Sequence, residues 1–125
     1  MATKIKIITA RDFIEISTDG IINMTTSRQL LADIAKTEHQ HADYELLVDF
    51  RDTQSELSIA DVYQLAAELS THGDTFHRKV ALVVTPGLNF VHANFFETCS
   101  RNRGFSVNAY TDYEKAIRWI LKAER

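Results

Sequence analysis

Carboxylate, guanidinium and hydroxyl side chains cluster where an apolar run gives way to a polar one, at Asp49, Arg51, Asp52, Ser55 and Ser58. An ionised carboxylate inside an apolar run, such as Asp49, requires a partner, because leaving it dry and unpaired is costly or shifts its pKa. Arg51 and the backbone amides that follow it are the nearest partners. Carboxylates support acid–base chemistry, whereas a serine can cap a helix or carry a phosphate.

A second group of polar side chains, Asn89, His92 and Asn94, follows the Pro86-Gly87 dipeptide at another predicted strand-to-helix junction. In open α/β sheets, ligands bind outside the carboxyl ends of the strands, where helix N-termini present free N–H groups. We therefore expect both groups at one edge of the sheet. The candidate binding or regulatory residues are Asp49, Arg51, Asp52, Ser55, Ser58, Asn89 and His92.

Acid–base catalysis could in principle use Asp49, Asp52, His77 and His92. The sequence nevertheless contains no nucleophile elbow and no phosphate-binding P-loop. We therefore predict that the protein is not an enzyme and that it uses no cofactor.

Metal binding is the other chemistry that the histidines suggest. His39 and His41 form a His-x-His pair, but no third ligand follows at a recognised spacing, so both are predicted to be solvated. Cys99 lies close to Phe95 and Phe96, which predicts a buried, inert thiol. We predict no metal site.

Composition indicates one α/β domain over residues 1–125. The chain has 125 residues, of which 45% are hydrophobic, enough for a sizeable core. Its net charge of −3 is spread without a basic stripe, which argues against nucleic acid as a partner. A single cysteine excludes an internal disulfide. With no signal peptide and no apolar run of about 20 residues, the prediction is a cytoplasmic protein without a transmembrane segment.

The N-terminal region alternates between apolar and polar residues, which is typical of strands. Strands are predicted at Lys4–Thr9, Phe13–Ser17 and Ile21–Asn23, and Asp-Gly within Thr18–Gly20 predicts a turn between the last two. This region is therefore expected to form an antiparallel hairpin or meander. A first helix follows, with Thr26 and Gln29 at the spacing of a capping box.

The central stretch predicts a buried strand at Glu45–Phe50, a polar loop at Arg51–Leu57 and a helix that starts at Ser58. Ser58 and Asp61 have the spacing of a capping box, with Asp in place of the usual Glu. Strand, helix, strand and helix are then predicted, at Lys79–Thr85, Leu88–Arg101, Phe105–Tyr110 and from the capping box Thr111–Glu114 onward. The predicted fold is α/β: a single mixed sheet with an antiparallel N-terminal hairpin, followed by alternating strands and helices.

Four segments carry a family resemblance: LLVDFRD at Leu46–Asp52, SIADVYQLA at Ser58–Ala66, KVALVV at Lys79–Val84 and DYEKAIRWI at Asp112–Ile120. With this order of elements, the chain resembles the STAS-like superfamily, particularly the small bacterial SpoIIAA-like proteins. The resemblance covers nearly the whole chain and falls mainly on core and capping positions. It implies the STAS/SpoIIAA-like fold.

The resemblance also implies a function. Anti-sigma-factor antagonists of this type bind a partner kinase and are switched by phosphorylation of a serine in an Asp-Ser-Ser-Gly motif at the start of a helix. Here the corresponding region reads TQSELSIAD, without that motif, and the nearest hydroxyls are Ser55 and Ser58.

Two functions follow as alternatives. The first is a non-enzymatic regulatory or protein-interaction module, whose protein partner would bind the Arg51–Ser58 loop, the following helix and the Pro86–His92 junction. The second is a small-molecule or lipid-binding protein with an apolar pocket between sheet and helices. That pocket would be lined by Phe90, Phe95, Phe96, Phe105 and Trp119. The related lipid-carrier branch of the STAS-like superfamily uses an apolar cavity with extra gating helices. This chain is too short for those helices. A homodimer is compatible with either function.

Overall fold

The computed structural model describes residues 3–41, 43–72 and 75–122. Its strands are β1 (Thr3–Ile8), β2 (Phe13–Ile22), β3 (Glu45–Ser55), β4 (Val80–Val83) and β5 (Val107–Tyr110). Its helices are α1 (Met24–Glu38), α2 (Ile59–Glu68), α3 (Leu88–Arg101) and α4 (Tyr113–Leu121), and a short 3₁₀ helix (Leu69–His72) extends α2.

The five strands form one sheet in the order β1-β2-β3-β4-β5. β1 is antiparallel to β2, and the other neighbouring pairs are parallel. Helices α1, α2 and α3 pack on one face of the sheet and α4 packs on the other. The predicted fold class, a mixed sheet that begins with an antiparallel hairpin, is confirmed.

The hairpin turn lies at residues 9–12, not at Thr18–Gly20, so the sequence prediction was wrong at this point. Asp12 takes the positive φ of 57° that the tight turn needs. Gly20 also has a positive φ, of 88°, but it lies inside β2. The strand continues to Ile22 because residues 19–22 pair with β3, so the predicted third strand is the end of β2.

β3 is five residues longer than predicted, so the loop expected at Arg51–Leu57 is mostly strand. Ser17 pairs with Asp49 but Asp19 pairs with Asp52, which leaves one extra residue in β3 opposite Thr18. Such a bulge shifts the alternation of side chains by one position. As a result, Leu47 faces α4, whereas Thr53 and Ser55 face the three other helices.

Helix starts are set by side-chain caps, two of which differ from prediction. Asn23, not Thr26, caps α1, and Thr26 occupies the third helical position of that capping box. Asp112, not Thr111, caps α4 and accepts hydrogen bonds from the amides of Glu114 and Lys115. The predicted capping box of α2 is present.

The core has two parts, one on each face of the sheet. The larger lies under α1, α2 and α3 and includes the buried strand residues Ile14, Ile16, Leu46, Val48, Leu82 and Val107. The smaller lies under α4 and consists of Phe13, Leu47, Ala81, Val83, Ala116 and Ile120. β3 and β4 contribute to both parts, as expected for strands covered on both faces.

Two buried ionisable side chains were not predicted. Lys79 is 5% exposed, and its Nζ donates to the backbone oxygens of Trp119 and Lys122, at 2.9 and 2.5 Å. It thereby satisfies carbonyls at the end of α4, where a positive charge is favourable. Glu38, the last residue of α1, is 3% exposed, and its Oε2 makes no hydrogen bond with any described residue.

Candidate functional site

A polar group lies at the carboxyl edge of the sheet, where β3 leads into α2 and β4 leads into α3. Ser55 Oγ is 2.8 Å from His92 Nδ1 and also accepts a hydrogen bond from the amide of Leu57 at 3.3 Å. The fold therefore brings Ser55, Asn89 and His92 together, which are three of the seven predicted site residues.

Asn89 fixes this group to the sheet. Its Oδ1 accepts a hydrogen bond from the amide of Ser55 at 3.1 Å. Its Nδ2 donates to the backbone oxygen of Thr53 at 3.0 Å and to Thr85 Oγ1 at 2.9 Å. The side chain thus connects the end of β3, the segment after β4 and the first turn of α3. The long β3 makes this possible, which is why sequence spacing alone did not indicate it.

An apolar cavity of about 120 Å³ lies beneath the polar group, between the sheet and helices α1, α2 and α3. Its apolar walls include Leu30, Phe50, Val62, Leu82, Val84 and Phe96. The predicted apolar pocket between sheet and helices therefore has a counterpart in the structure.

The predicted aromatic lining is largely wrong. Of the five aromatic residues expected around a pocket, only Phe96 lines this cavity. Phe105 belongs to the core under α1, α2 and α3, where His77 stacks on it. Trp119 lies on α4 and packs against the core on the opposite face of the sheet. The sequence could not separate the two faces, because the sheet topology determines which helix covers which side.

Asp49 and Arg51 form an ion pair on the other face of the sheet. Arg51 donates from Nε and a terminal nitrogen to the two carboxylate oxygens of Asp49, at 2.9 and 2.8 Å, and its backbone amide donates to Oδ1 at 3.0 Å. Burial opposes ionisation of Asp49, but these hydrogen bonds and the charge of Arg51 outweigh it and keep the pKa of the carboxyl below its ordinary value.

The same ion pair contacts the start of α4. The Arg51 guanidinium lies over the Tyr113 ring, 4.9 Å from its centroid, and the Tyr113 hydroxyl donates to Glu15. Burial and the Glu15 carboxylate raise the pKa of Tyr113 to about 12, so the phenol stays protonated. Each charged group in this network has a partner, and the network anchors α4 to β2 and β3. Asp49 and Arg51 are thus separated by the sheet from His92.

Ser58 is the N-cap of α2. Its Oγ accepts a hydrogen bond from the amide of Asp61, whose carboxylate in turn accepts one from the amide of Ser58, both at 3.0 Å. A phosphate on Ser58 would lie at the N-terminus of α2, which favours negative charge, but beside the Asp61 carboxylate, which repels it. Asp52 is exposed in β3, where it lies opposite Asp19 of β2 in the register of the two parallel strands.

Replacing Ser58 by alanine is expected to lower the free energy of unfolding by about 1 kcal/mol, because the cap of α2 is lost. Urea denaturation measures this change. Ser70→Ala is the matched control, since Ser70 is exposed just beyond the other end of α2 and donates only to the backbone oxygen of Ala67. Equal losses in the two variants would contradict a capping role for Ser58.

The histidine pair and the single cysteine lie away from this edge. Within residues 3–41, 43–72 and 75–122, no group of three or more His, Cys, Asp or Glu side chains is arranged to hold a metal ion. His39 is exposed at the end of α1, and His41 lies against Tyr44. Cys99 is buried on α3.

Large apolar side chains are exposed on the neighbouring helices α2 and α3. Ile59 and Tyr63 of α2 are 50% and 52% exposed, and Leu88 and Val91 of α3 are 62% and 54% exposed. Each pair is spaced so that it lies on one side of its helix. We call these four residues the α2–α3 surface. The sequence analysis placed a binding surface on the Arg51–Ser58 loop, on α2 and on the Pro86–His92 junction, but without identifying these side chains.

Among the described residues, no helix combines the length and apolar character required to span a bilayer. The longest, α1, has 15 residues.

No protein-family model matches the sequence, and no curated protein is significantly similar to it. Solved structures with a similar fold include the following two. An uncharacterized protein of the DUF3478 family from Shewanella loihica PV-4, with a SpoIIAA-like fold, is 18% identical, with a TM-score of 0.60 over 95% of this chain and 92% of that one. The anti-sigma factor antagonist SpoIIAA in its unphosphorylated form is 14% identical, with a TM-score of 0.61 over 98% of this chain and 100% of that one. The chain thus has a SpoIIAA-like fold, as the sequence resemblance implied.

Proposed function

Because the chain has a SpoIIAA-like fold, we propose that it is a non-enzymatic regulatory module of the STAS type that binds another protein. The observation that carries this proposal is the α2–α3 surface, with four large apolar side chains at least half exposed. Exposed apolar groups on adjoining elements are typical of interaction sites, because water is released from them when a partner binds.

The non-enzymatic part of the proposal is supported by the separation of the titratable groups. Asp49 is paired with Arg51 on the α4 face, whereas His92 lies on the opposite face and bonds Ser55. A general acid and a general base must reach the same substrate, and these groups are divided by the sheet.

The partner's surface is expected to be apolar at its centre and basic at its margin. Asp52 and Glu56 are exposed at the end of β3 and just beyond it, close in the chain to Ile59. Asp61, in the first turn of α2, adds a third carboxylate. Lysine or arginine side chains around an apolar centre would complement this arrangement and would make the rate of association depend on salt.

The test compares two double variants in affinity capture from the host's own lysate. Ile59→Glu with Leu88→Glu places charges on the α2–α3 surface, and the matched control, Ile5→Glu with Ile7→Glu, places them on exposed isoleucines of β1. We expect the first variant to lose a protein that the wild type and the control both capture, with affinity reduced about 100-fold or more. Capture that survives the first variant, or is lost equally in both, would contradict the proposal. If the captured chain is a second copy of this one, the surface mediates a homodimer.

A further inference from the structure

The cavity between the sheet and helices α1, α2 and α3 is lined mostly by aliphatic and aromatic residues. Of its five polar lining residues, Ser27 lies on α1, whereas Thr53, Ser55, Asn89 and His92 lie together at the carboxyl edge. A mostly apolar cavity with a few convergent polar groups is the usual form of a small-molecule site.

The hydrogen bonds assign the proton positions at this edge. The Leu57 amide donates to Ser55 Oγ, and the only other partner of that oxygen among the described residues is His92 Nδ1. The arrangement in which every one of these protons has an acceptor among the described residues has the Ser55 hydroxyl donating to Nδ1, with Nδ1 as the acceptor. In a neutral imidazole the remaining proton then lies on Nε2.

His92 lines the cavity, and its Nε2 has no hydrogen-bond partner within the described residues. Asn89 cannot satisfy it, because the Asn89 side chain is already bonded to Ser55, Thr53 and Thr85. The fully buried side-chain atoms without a partner among the described residues are Glu38 Oε2 and Ser100 Oγ, so Nε2 of His92 keeps some access and is open to an acceptor oxygen of a ligand.

We propose that this cavity binds a small, neutral, mainly apolar molecule whose carbonyl oxygen accepts a hydrogen bond from Nε2 of His92. The volume of about 120 Å³ corresponds to a ligand of about the size of benzene, which binds in an engineered apolar cavity of about 150 Å³ in another protein. No lysine or arginine lines the cavity, so a carboxylate would be buried without a full counter-charge. This site goes beyond the proposed protein-binding function and does not depend on it.

Three probes of similar size separate the contributions. Cyclohexanone has the carbonyl, methylcyclohexane lacks it, and cyclohexanecarboxylate replaces it with a charge. In ¹H–¹⁵N correlation spectra of the full chain, we expect cyclohexanone to cause saturable shifts at Ser55, His92 and Ala93. We expect it to bind about tenfold more tightly than either of the other two probes, which is the effect of one hydrogen bond.

Two variants test the site itself. Ala93→Leu adds a larger side chain at a residue that lines the cavity and should abolish binding, whereas His92→Phe should reduce the affinity for cyclohexanone to that for methylcyclohexane. If either variant does not fold, nuclear Overhauser contacts between cyclohexanone and the rings of His92 and Phe96 in the wild type decide the question. Absence of those contacts, absence of saturable shifts in the wild type, or unchanged binding by a folded Ala93→Leu variant would overturn the proposal.

Cyclohexanone binding in the cavity is expected not to depend on the α2–α3 surface. Ile59→Glu with Leu88→Glu changes no residue that lines the cavity, so this variant should bind cyclohexanone as the wild type does. Loss of protein capture with cyclohexanone binding intact would separate the two sites. Loss of cyclohexanone binding in this variant would contradict the assignment of the cavity as an independent site.

Discussion

Replacing Glu38 by glutamine is expected to make the protein more stable above neutral pH, by roughly 2 to 3 kcal/mol at about pH 8. Glu38 is buried at the end of α1, and Oε2 has no hydrogen-bond partner among the described residues. Burial and then the Glu45 carboxylate raise its pKa to about 7, although Arg78 opposes the shift. The carboxyl end of a helix also disfavours a negative charge.

The direction of the pH effect follows from which state holds the proton. The pKa of Glu38 is about 7 in the folded chain, and its ordinary value is 4.5. Between these values the folded state holds a proton that the unfolded chain has lost, so stability falls as pH rises. Below 4.5 both states are protonated, and above about pH 7 the loss is complete. Glutamine mimics the protonated group and removes this dependence.

Urea denaturation of the wild type and the Glu38→Gln variant across this pH range measures the effect. Glu56→Gln is the matched control, because Glu56 is exposed. For each variant, the free energy of unfolding of the wild type minus that of the variant is plotted against pH. This difference should change steeply between pH 4.5 and 7 for Glu38→Gln and should stay nearly constant for Glu56→Gln. A flat curve for Glu38→Gln would show that the carboxyl is not held protonated in the folded state.

Replacing Asn89 by alanine is expected to lower the free energy of unfolding by about 2 kcal/mol. The variant loses three hydrogen bonds and leaves the amide of Ser55 and the backbone oxygen of Thr53 without a protein partner. Because these groups are partly buried, the loss exceeds the modest net value of a single exposed hydrogen bond.

Asn94→Ala is the control for this change. Asn94 lies on the same helix but is exposed, so the two variants share the gain in helix propensity that alanine brings. We expect Asn94→Ala to change the free energy of unfolding by less than about 0.5 kcal/mol. Similar values for the two variants would contradict the positioning role assigned to Asn89.

Much of the fold follows from local patterns in the sequence. The short apolar runs predicted β3 and β4, and the Ser58–Asp61 capping box placed the start of α2. The register between β2 and β3 could not be predicted from such local patterns. The Asp-Gly dipeptide by itself favours a turn. In the structure, residues 19–22 instead pair with β3, which stabilises them as a strand, and Gly20 takes its positive φ inside that strand.

The candidate site was predictable only in part, for the same reason. Ser55, Asn89 and His92 were singled out because they border predicted strand ends, and the fold brings them together. Asp49 and Arg51 were grouped with them because the bulge in β3, which changes the face to which side chains point, has no local signature. Glu38 was missed, although it continues the spacing of Leu30 and Ile34 along the buried side of α1.

Site-specific photo-crosslinking in the host tests most directly whether a partner protein binds the α2–α3 surface. A photoreactive amino acid would replace Leu88 or Val91 in one set of variants, and Ile7 of β1 in the control. We predict that irradiation joins the Leu88 and Val91 variants to one distinct protein, and that the Ile7 variant gives no such product. If Leu88 and Val91 give no protein adduct, or the same adducts as Ile7, the α2–α3 surface is not the binding surface.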